Sequence, residues 1–163
     1  MQNLQQYMTG LRLPQYPQYP TSQEIMEKPI KHRLEAIEAI RGWKITDYPG
    51  WKDKATGEKL LALYRLITSL SIVYNKPVCV TNGHEYHYSP LSSTIILDSR
   101  NPSIISTLHE FAHHIKGPSE SKACKWSVWL FKKVFPKAFA KLEFIPNSHM
   151  LCKRKVKITS QTS

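Results

Sequence analysis

Three residues in the stretch STLHEFAHHIK carry groups that can bind a metal ion and move a proton. His109 and His113 are four residues apart, so on an α-helix both imidazoles lie on one face, one turn apart. Glu110 follows the first histidine and projects beside that face, where its carboxylate can accept a proton from water. The spacing therefore predicts a metal site with a general base, an arrangement that can hydrolyse an amide bond.

A third protein ligand is expected, because catalytic zinc generally takes three and leaves one position open. Glu120 is the best candidate. It lies in the first turn of the next predicted helix, just after the Gly117-Pro118 break that lets this helix fold back across the first. A carboxylate at a helix N-terminus is also favoured by the helix dipole, so Glu120 has a structural explanation as well. The rival ligands, each with an ordinary surface or core explanation, are His84, His87, His114 and His149.

Capping residues and apolar spacing predict the two helices that carry these groups. Asn101 can cap a helix over residues 101–116, and Pro102 fits its first turn. Ser119 caps the second helix, which runs to about Phe135. The apolar residues of the first helix lie on the side away from the metal face and anchor the helix in the core; they are Leu108, Phe111, Ala112 and Ile115.

Two helices and three short strands are predicted before this pair. Apolar residues at helical spacing indicate helices over 22–43, which Gly42 ends, and over about 54–74. In the second of these, Leu60, Leu63, Ile67 and Leu70 are expected to face the core. Short β-branched or alternating segments indicate a strand meander with Asn82-Gly83 as a turn. The strands are 77–82, 85–89 and 93–98. The predicted fold class is α+β, with N-terminal helices packed on a small, mostly antiparallel sheet and the two site-bearing helices after it.

The 163 residues, of which 41% are hydrophobic, suit one domain with its own core. Residues 1–22 contain PQYPQYP and predict an extended arm rich in Pro, Gln and Tyr. Residues 23–150 form the predicted domain, and residues 151–163 a loose basic tail. Apolar runs are too short to cross a membrane, the N-terminus lacks a secretory pattern, and three scattered cysteines suit free thiols. We therefore expect a cytoplasmic protein without a membrane partner.

The formal net charge is +11, and it is uneven along the chain. From Lys122 onward ten Lys or Arg residues stand against one acid, Glu143. Such an imbalance favours an anionic partner, either nucleic acid or an acidic protein surface, although a solvated basic face explains it equally well. The aromatic residues of KWSVWLFKKVF fall at helical core spacing, so we interpret them as core rather than as base-stacking groups.

The residues around the site resemble a known family. HEFAHH followed by ESKACKWS is similar to the zincin metallopeptidases with a downstream glutamate, the gluzincin arrangement. It most resembles the ImmA/IrrE-like pattern, which pairs HExxH with a later E-x-x-A-x-x-F-A helix. Glu120, Ala123, Trp126 and Ser127 fill those places here, with Trp for Phe and Ser for Ala. The resemblance covers about residues 93–131.

The resemblance implies a compact α+β zincin domain that hydrolyses a peptide bond in a protein substrate, such as a regulatory protein. By this likeness His109, His113 and Glu120 would bind Zn²⁺, and Glu110 would be the general base. Imidazole and carboxylate ligands also suit other divalent ions, so the residue types alone leave the native metal open.

The substrate would need a strand to lie along and a group to stabilise the oxyanion. We expect the segment STIILD to form an edge strand that pairs with an extended peptide. Tyr88 and His149 are the two candidates for the oxyanion stabiliser, and the sequence does not choose between them. The residues of the predicted substrate-binding strand are Thr94, Ile95, Ile96 and Leu97.

Three alternatives compete with a peptidase. The first is a non-catalytic or latent zincin-fold binding protein, in which the N-terminal arm could cover the cleft and the basic C-terminal region could contact nucleic acid or an acidic partner. The second is a nucleic-acid-associated protein that uses the basic C-terminal region, with a purely structural zinc site closed by a fourth ligand, for which Cys124 is one turn after Glu120. The third is an amphipathic helix whose histidines bind no metal.

Overall fold

The computed structural model describes residues 19–144 and 151–153. Most of the predicted arm, most of the predicted tail and the candidate His149 lie outside these residues. Within them the chain is α+β, which confirms the predicted fold class. The helices are α1 (Ser22–Glu27), α2 (Leu34–Thr46), α3 (Thr56–Tyr74), α4 (Ile104–Lys116), α5 (Glu120–Val134) and α6 (Pro136–Phe139). The strands are β1 (Cys79–Gly83), β2 (His87–Ser89), β3 (Thr94–Asp98), β4 (Leu142–Phe144) and β5 (Leu151–Lys153).

The first helical stretch is two helices, where the sequence predicted one. Thr21 caps α1 in a capping box with Glu24, and α1 stops before Pro29 because a residue that precedes proline is disfavoured in the helical region. Lys28 is accordingly extended, with φ −128° and ψ 116°. Helix α2 then continues through Gly42 to Thr46, so the prediction that Gly42 ends the helix was wrong.

Helix α3 buries the face that its apolar spacing predicted. The Trp43 indole of α2 donates a hydrogen bond of 2.6 Å to the Ala62 carbonyl of α3, which ties the two helices together. Asn75 ends α3 in the left-handed conformation, with φ 49°. The buried residues of α3 are Leu60, Ala62, Leu63, Leu66, Ile67 and Leu70.

The sheet is mixed, and its strand order is β1–β3–β2. Strand β1 runs parallel to β3, and β2 runs antiparallel to β3. The predicted meander was therefore wrong, and Asn82-Gly83 lies inside β1 rather than in a hairpin turn. Gly83 is required there by close packing, because a Cβ at this position would lie 2.6 Å from Ile96 Cγ2.

Strand β3 is the central strand, so the prediction that STIILD is an edge strand was wrong. Thr94, Ile95 and Ile96 have Cα partners on both β1 and β2, and Leu97 pairs with β1. Ile95 and Leu97 are also fully buried in the core. Since the backbone of β3 is already occupied, a peptide cannot add to it as a strand.

Helices α4 and α5 pack against each other in the core. Ser103, and not the predicted Asn101, caps α4: its hydroxyl accepts a 3.2 Å hydrogen bond from the Ser106 N–H. Gly117 ends α4 with φ 91°, a conformation that favours glycine. Ser119 caps α5 as predicted and accepts from the Lys122 N–H at 3.2 Å. The break between the helices thus turns the chain back on itself.

The aromatic residues of α5 belong to the core, as predicted. Trp126 is buried, and Trp129 is half-buried and donates from its indole to the Ile25 carbonyl at 2.7 Å. This bond holds α1 against α5. Helix α6 is followed by β4, which pairs antiparallel with β5 from the segment predicted as tail. Among the described residues, no helix is both long and apolar enough to cross a membrane.

Candidate metal centre

Three donor groups converge where α4 meets the start of α5. The Nε2 atoms of His109 and His113 lie 3.1 Å apart. One carboxylate oxygen of Glu120 lies 3.0 Å from the Nε2 of His109, and the other lies 3.0 Å from the Nε2 of His113. The helical spacing brings the two imidazoles together, and the turn at Gly117 brings the carboxylate to them. The three predicted ligands therefore share one site.

The spacing of these atoms suits a tetrahedral metal ion. Ligand atoms about 2.0–2.1 Å from zinc at tetrahedral angles are separated by about 3.3 Å. The separations of 3.0–3.1 Å are close to that value, so a small change in side-chain angles would place an ion between the donors. Two imidazoles and one carboxylate also form a donor set of the kind that catalytic zinc uses.

Neighbouring groups orient the two imidazoles. The Nδ1 of His113 lies 2.9 Å from the Gly117 carbonyl, to which it can only donate, and this tautomer leaves the Nε2 lone pair directed at the site. His109 is 1% exposed, and its Nδ1 faces the Cys124 sulfur at 3.9 Å. Burial and these contacts fix both rings in the orientation that a metal site requires.

The electrostatics of the three donors fit a mutually stabilised cluster. Burial acts to raise the pKa of Glu120, but hydrogen bonds from His109 and His113 outweigh it and hold this pKa well below its ordinary range. Burial lowers the pKa of His109. For His113, burial is opposed by the hydrogen bonds to Glu120 and Gly117, which leave its pKa raised. Glu120 is therefore ionised at neutral pH, as a metal ligand must be.

Glu110 is adjacent to this cluster and differs from Glu120 in its titration. Its side chain is almost wholly buried, with the residue 6% exposed. Burial is the largest cause and raises the pKa of Glu110 to about 7. The charge of His113 and a hydrogen bond from the Tyr88 main chain act to lower this pKa, and the charge of Glu120 acts to raise it. A carboxylate with this pKa is suited to accept and return a proton near neutral pH.

A second donor set shares His109 and Glu120 but replaces His113 with Cys124. One ligand atom from each of these three residues lies within 4.8 Å of the others. We favour the set with His113, since the Nε2 atoms of the two histidines lie 3.1 Å apart with a Glu120 oxygen 3.0 Å from each, and the sulfur lies on the Nδ1 side of the His109 ring. Burial and the charge of Glu120 also raise the pKa of Cys124 to about 12, which disfavours the thiolate that binds metal.

The other candidate residues have different partners. The Tyr88 hydroxyl lies 2.9 Å from Nδ1 of His114, whose Nε2 lies 3.1 Å from the Lys76 carbonyl. His114 therefore links α4 to β2 and to the end of α3, and is directed away from the donor set. His84 and His87 are exposed residues of the sheet region. Tyr88 instead approaches the site with its main chain, which contacts Glu110.

Tyr19 is a neighbour of the site that the sequence analysis missed. It is partly buried against the core, just before α1. Burial raises the pKa of the Tyr19 phenol, and the charges of Glu120, Cys124 and Glu110 raise it further, so the ring lies within electrostatic range of all three. The signal in the sequence was a tyrosine of PQYPQYP next to the first helix. Only the packing of α1 on α5 shows where that tyrosine goes.

Comparison with family models, with curated proteins and with solved structures finds no match to this chain.

Proposed function

We propose that this protein is a zinc-dependent metallopeptidase that hydrolyses a peptide bond in a protein substrate. The observation that carries this proposal is the convergence of His109, His113 and Glu120, whose facing atoms lie 3.0–3.1 Å apart, beside a buried carboxylate, Glu110. His109, His113 and Glu120 would hold the ion and leave a position open for the reactants. The free thiols of Cys79 and Cys124 suit the reducing cytoplasm, where we propose that it acts.

Glu110 is the proposed general base. Zn²⁺ held by the three ligands would polarise a carbonyl and lower the pKa of water. Glu110 then accepts the proton of the attacking water and passes it to the nitrogen of the leaving amine. Its burial keeps the carboxylate in place during both transfers.

Strand β2 replaces β3 as the proposed substrate-binding strand. It pairs with β3 on one side, and within the described residues no strand pairs with its other side. Its central residue, Tyr88, contacts the proposed base through the main chain. An extended substrate that adds to β2 would therefore run past Glu110. The resemblance to ImmA/IrrE-like proteins fits a regulatory protein as this substrate.

The test is to separate catalysis from metal binding with Glu110→Gln. We expect this variant to retain zinc and to cleave a library of quenched fluorescent peptides about 10²- to 10⁴-fold more slowly, the range that a general base contributes. Glu143→Gln is the matched control, since Glu143 is exposed on β4. Equal turnover by Glu110→Gln and the wild type would contradict the assignment of Glu110.

The proximity of Cys124 supports one alternative, a closed structural metal site in a protein that binds a partner without turnover. In that case the sulfur would be the fourth ligand beside His109, His113 and Glu120. Cobalt substitution separates the two proposals, because a thiolate ligand gives a charge-transfer band in the near ultraviolet and nitrogen and oxygen ligands do not. The peptidase proposal expects a spectrum without that band.

A further inference from the structure

A basic pocket lies outside the metal centre, at the junction of the α1–α2 linker, the C-terminal ends of α3 and α4, and the middle of α5. Its volume is about 160 Å³. Tyr74 and Trp126 are among its lining residues, and the cations are contributed by three separate segments of the chain. These cations are Lys31, Arg33, Lys76 and Lys116.

The charges of this basic pocket are largely uncompensated. All four cations are exposed, and in the part of the chain that the structure describes none of them forms an ion pair. The Arg33 guanidinium instead lies 4.7 Å from the centre of the Tyr74 ring. The negative charges near the pocket are the Glu35 carboxylate, which lies within electrostatic range of Tyr74, and the C-terminal ends of α3 and α4, which contribute about −0.5 charge each. One carboxylate and two partial charges leave the pocket net positive.

An apolar groove adjoins the pocket and shares Lys31 and His32 with it. Its volume is about 570 Å³, and Lys132 and Lys133 line it as well. Leu34 is 61% exposed in this groove although it is a large apolar residue. The apolar lining consists of Pro29, Ile30, Leu34, Ile37 and Trp129. The groove and the pocket together form one surface, apolar along its length and basic at its rim and end, which we call the basic groove.

His32 holds the basic groove in shape. Its two ring nitrogens lie 2.8 Å from the Trp126 carbonyl and 3.1 Å from the Ile30 carbonyl. A neutral imidazole donates to one of these carbonyls, and the shorter contact, to Trp126, attaches the α1–α2 linker to α5, so the two walls of the groove are joined before any partner binds. A preformed surface costs less free energy to occupy than one that must be ordered on binding.

Neither terminal segment of the chain carries the acidic charge that would complement the basic groove. Residues 1–18 contain one charged residue, Arg12, and residues 154–163 contain only basic charged residues. A second copy would bring the same net charge of +11. The aliphatic lining from Ile30, Leu34 and Ile37 also suits apolar side chains better than the bases and phosphates of a nucleic acid. We propose that the basic groove is a docking surface for an acidic, amphipathic segment of another protein.

This docking surface is independent of the proposed peptidase activity, and its test uses the full-length protein with binding as the readout. The probes are a labelled peptide with Leu and Phe on one face and Glu and Asp on the other, its charge-reversed version, and a labelled single-stranded oligonucleotide. Fluorescence anisotropy gives the affinity of each at low and moderate salt. The expected result is binding of the acidic peptide that weakens with salt, and weaker binding of the other two probes.

Two charge reversals test the basic component of the groove. Lys31→Glu and Lys116→Glu should each weaken binding of the acidic peptide by about tenfold, because each removes an attraction and adds a repulsion. Lys52→Glu is the matched control, since Lys52 is exposed, lines neither the pocket nor the groove, and gives the same change in net charge. Equal losses in all three variants would show attraction by net charge alone and would overturn the proposal.

The apolar component needs a separate variant. Leu34→Ser should weaken binding of the acidic peptide by about fivefold or more, because apolar contact is lost. Leu91→Ser, at a fully exposed position elsewhere, should leave this binding unchanged. Circular dichroism melting checks that each variant is folded. No binding of the acidic peptide by the wild type would overturn the proposal. Tighter binding of the oligonucleotide, lost in the same groove variants, would overturn the assignment of the partner as a protein.

Discussion

The Nε2 atoms of His109 and His113 face each other at 3.1 Å, with Glu120 in contact with both. Two imidazole nitrogens at this distance repel through their lone pairs unless a proton or a cation lies between them. A divalent ion can take the place of that proton, so metal binding at this site should release protons and weaken as the pH falls.

Zinc binding should depend on all three donors. We expect about one zinc per chain in the wild type by elemental mass spectrometry, and little in Glu120→Ala. Saturation at a hundredfold excess over Kd should add about 2.7 kcal/mol to the free energy of unfolding and raise Tm by about 5–10 °C. Glu143→Ala, on the exposed side of β4, should keep both the metal and the Tm increase.

Cys124 should be dispensable for the metal. Its sulfur lies 3.9 Å from Nδ1 of His109, on the opposite side of the ring from the Nε2 cluster. We therefore expect Cys124→Ser to keep a zinc stoichiometry near that of the wild type, measured in the same way. A variant that lost zinc as completely as Glu120→Ala would instead favour the closed set that contains the sulfur.

Burial of the ionised Glu110 carboxylate should lower the free energy of unfolding of the metal-free protein at high pH. Its pKa is raised from an ordinary 4.5 to about 7, chiefly by burial, so between these values the folded state binds more protons than the unfolded state. The stability that the protonated carboxyl provides is present below about pH 4.5 and is lost as the pH rises to 7. The shift corresponds to at most about 3 kcal/mol.

Glu110→Gln should remove this pH dependence. In protein stripped of metal by a chelator, we expect the variant to be more stable than the wild type by about 1–3 kcal/mol at pH 8, with a much smaller difference at pH 4.5. Urea unfolding at the two pH values measures both differences, and Glu143→Gln is the exposed control. A destabilising effect of Glu110→Gln at pH 8 would contradict the prediction that burial dominates the energetics of this carboxylate.

The parts of this molecule that depend on neighbours in sequence could be predicted. Helix spacing predicted the buried face of α3 and the facing pair of His109 and His113, and the capping preference of serine predicted the Ser119 cap that places Glu120. Packing of distant segments could not be obtained this way. Asn82-Gly83 is a strong local turn signal, yet the parallel pairing of β1 with β3 overrides it. Tyr19 reaches the site only because α1 packs on α5.

Gly83 gives a direct test of the parallel pairing. A Cβ there would lie 2.6 Å from Ile96 Cγ2, and a β-branched side chain has few rotamers with which to move away. Gly83→Ala should therefore destabilise the protein by about 1–3 kcal/mol in urea unfolding. Gly42→Ala is the matched control inside α2, where nothing lies within 4 Å of a new Cβ, and it should stabilise by about 0.5–1 kcal/mol.

If Gly83 were instead in an open hairpin turn, its replacement would meet no side chain of β3, and Gly83→Ala combined with Ile96→Ala would be no better tolerated than the two changes made separately. In the parallel sheet the smaller residue at position 96 removes the clash, so the double variant should lose less stability than the sum of the single ones.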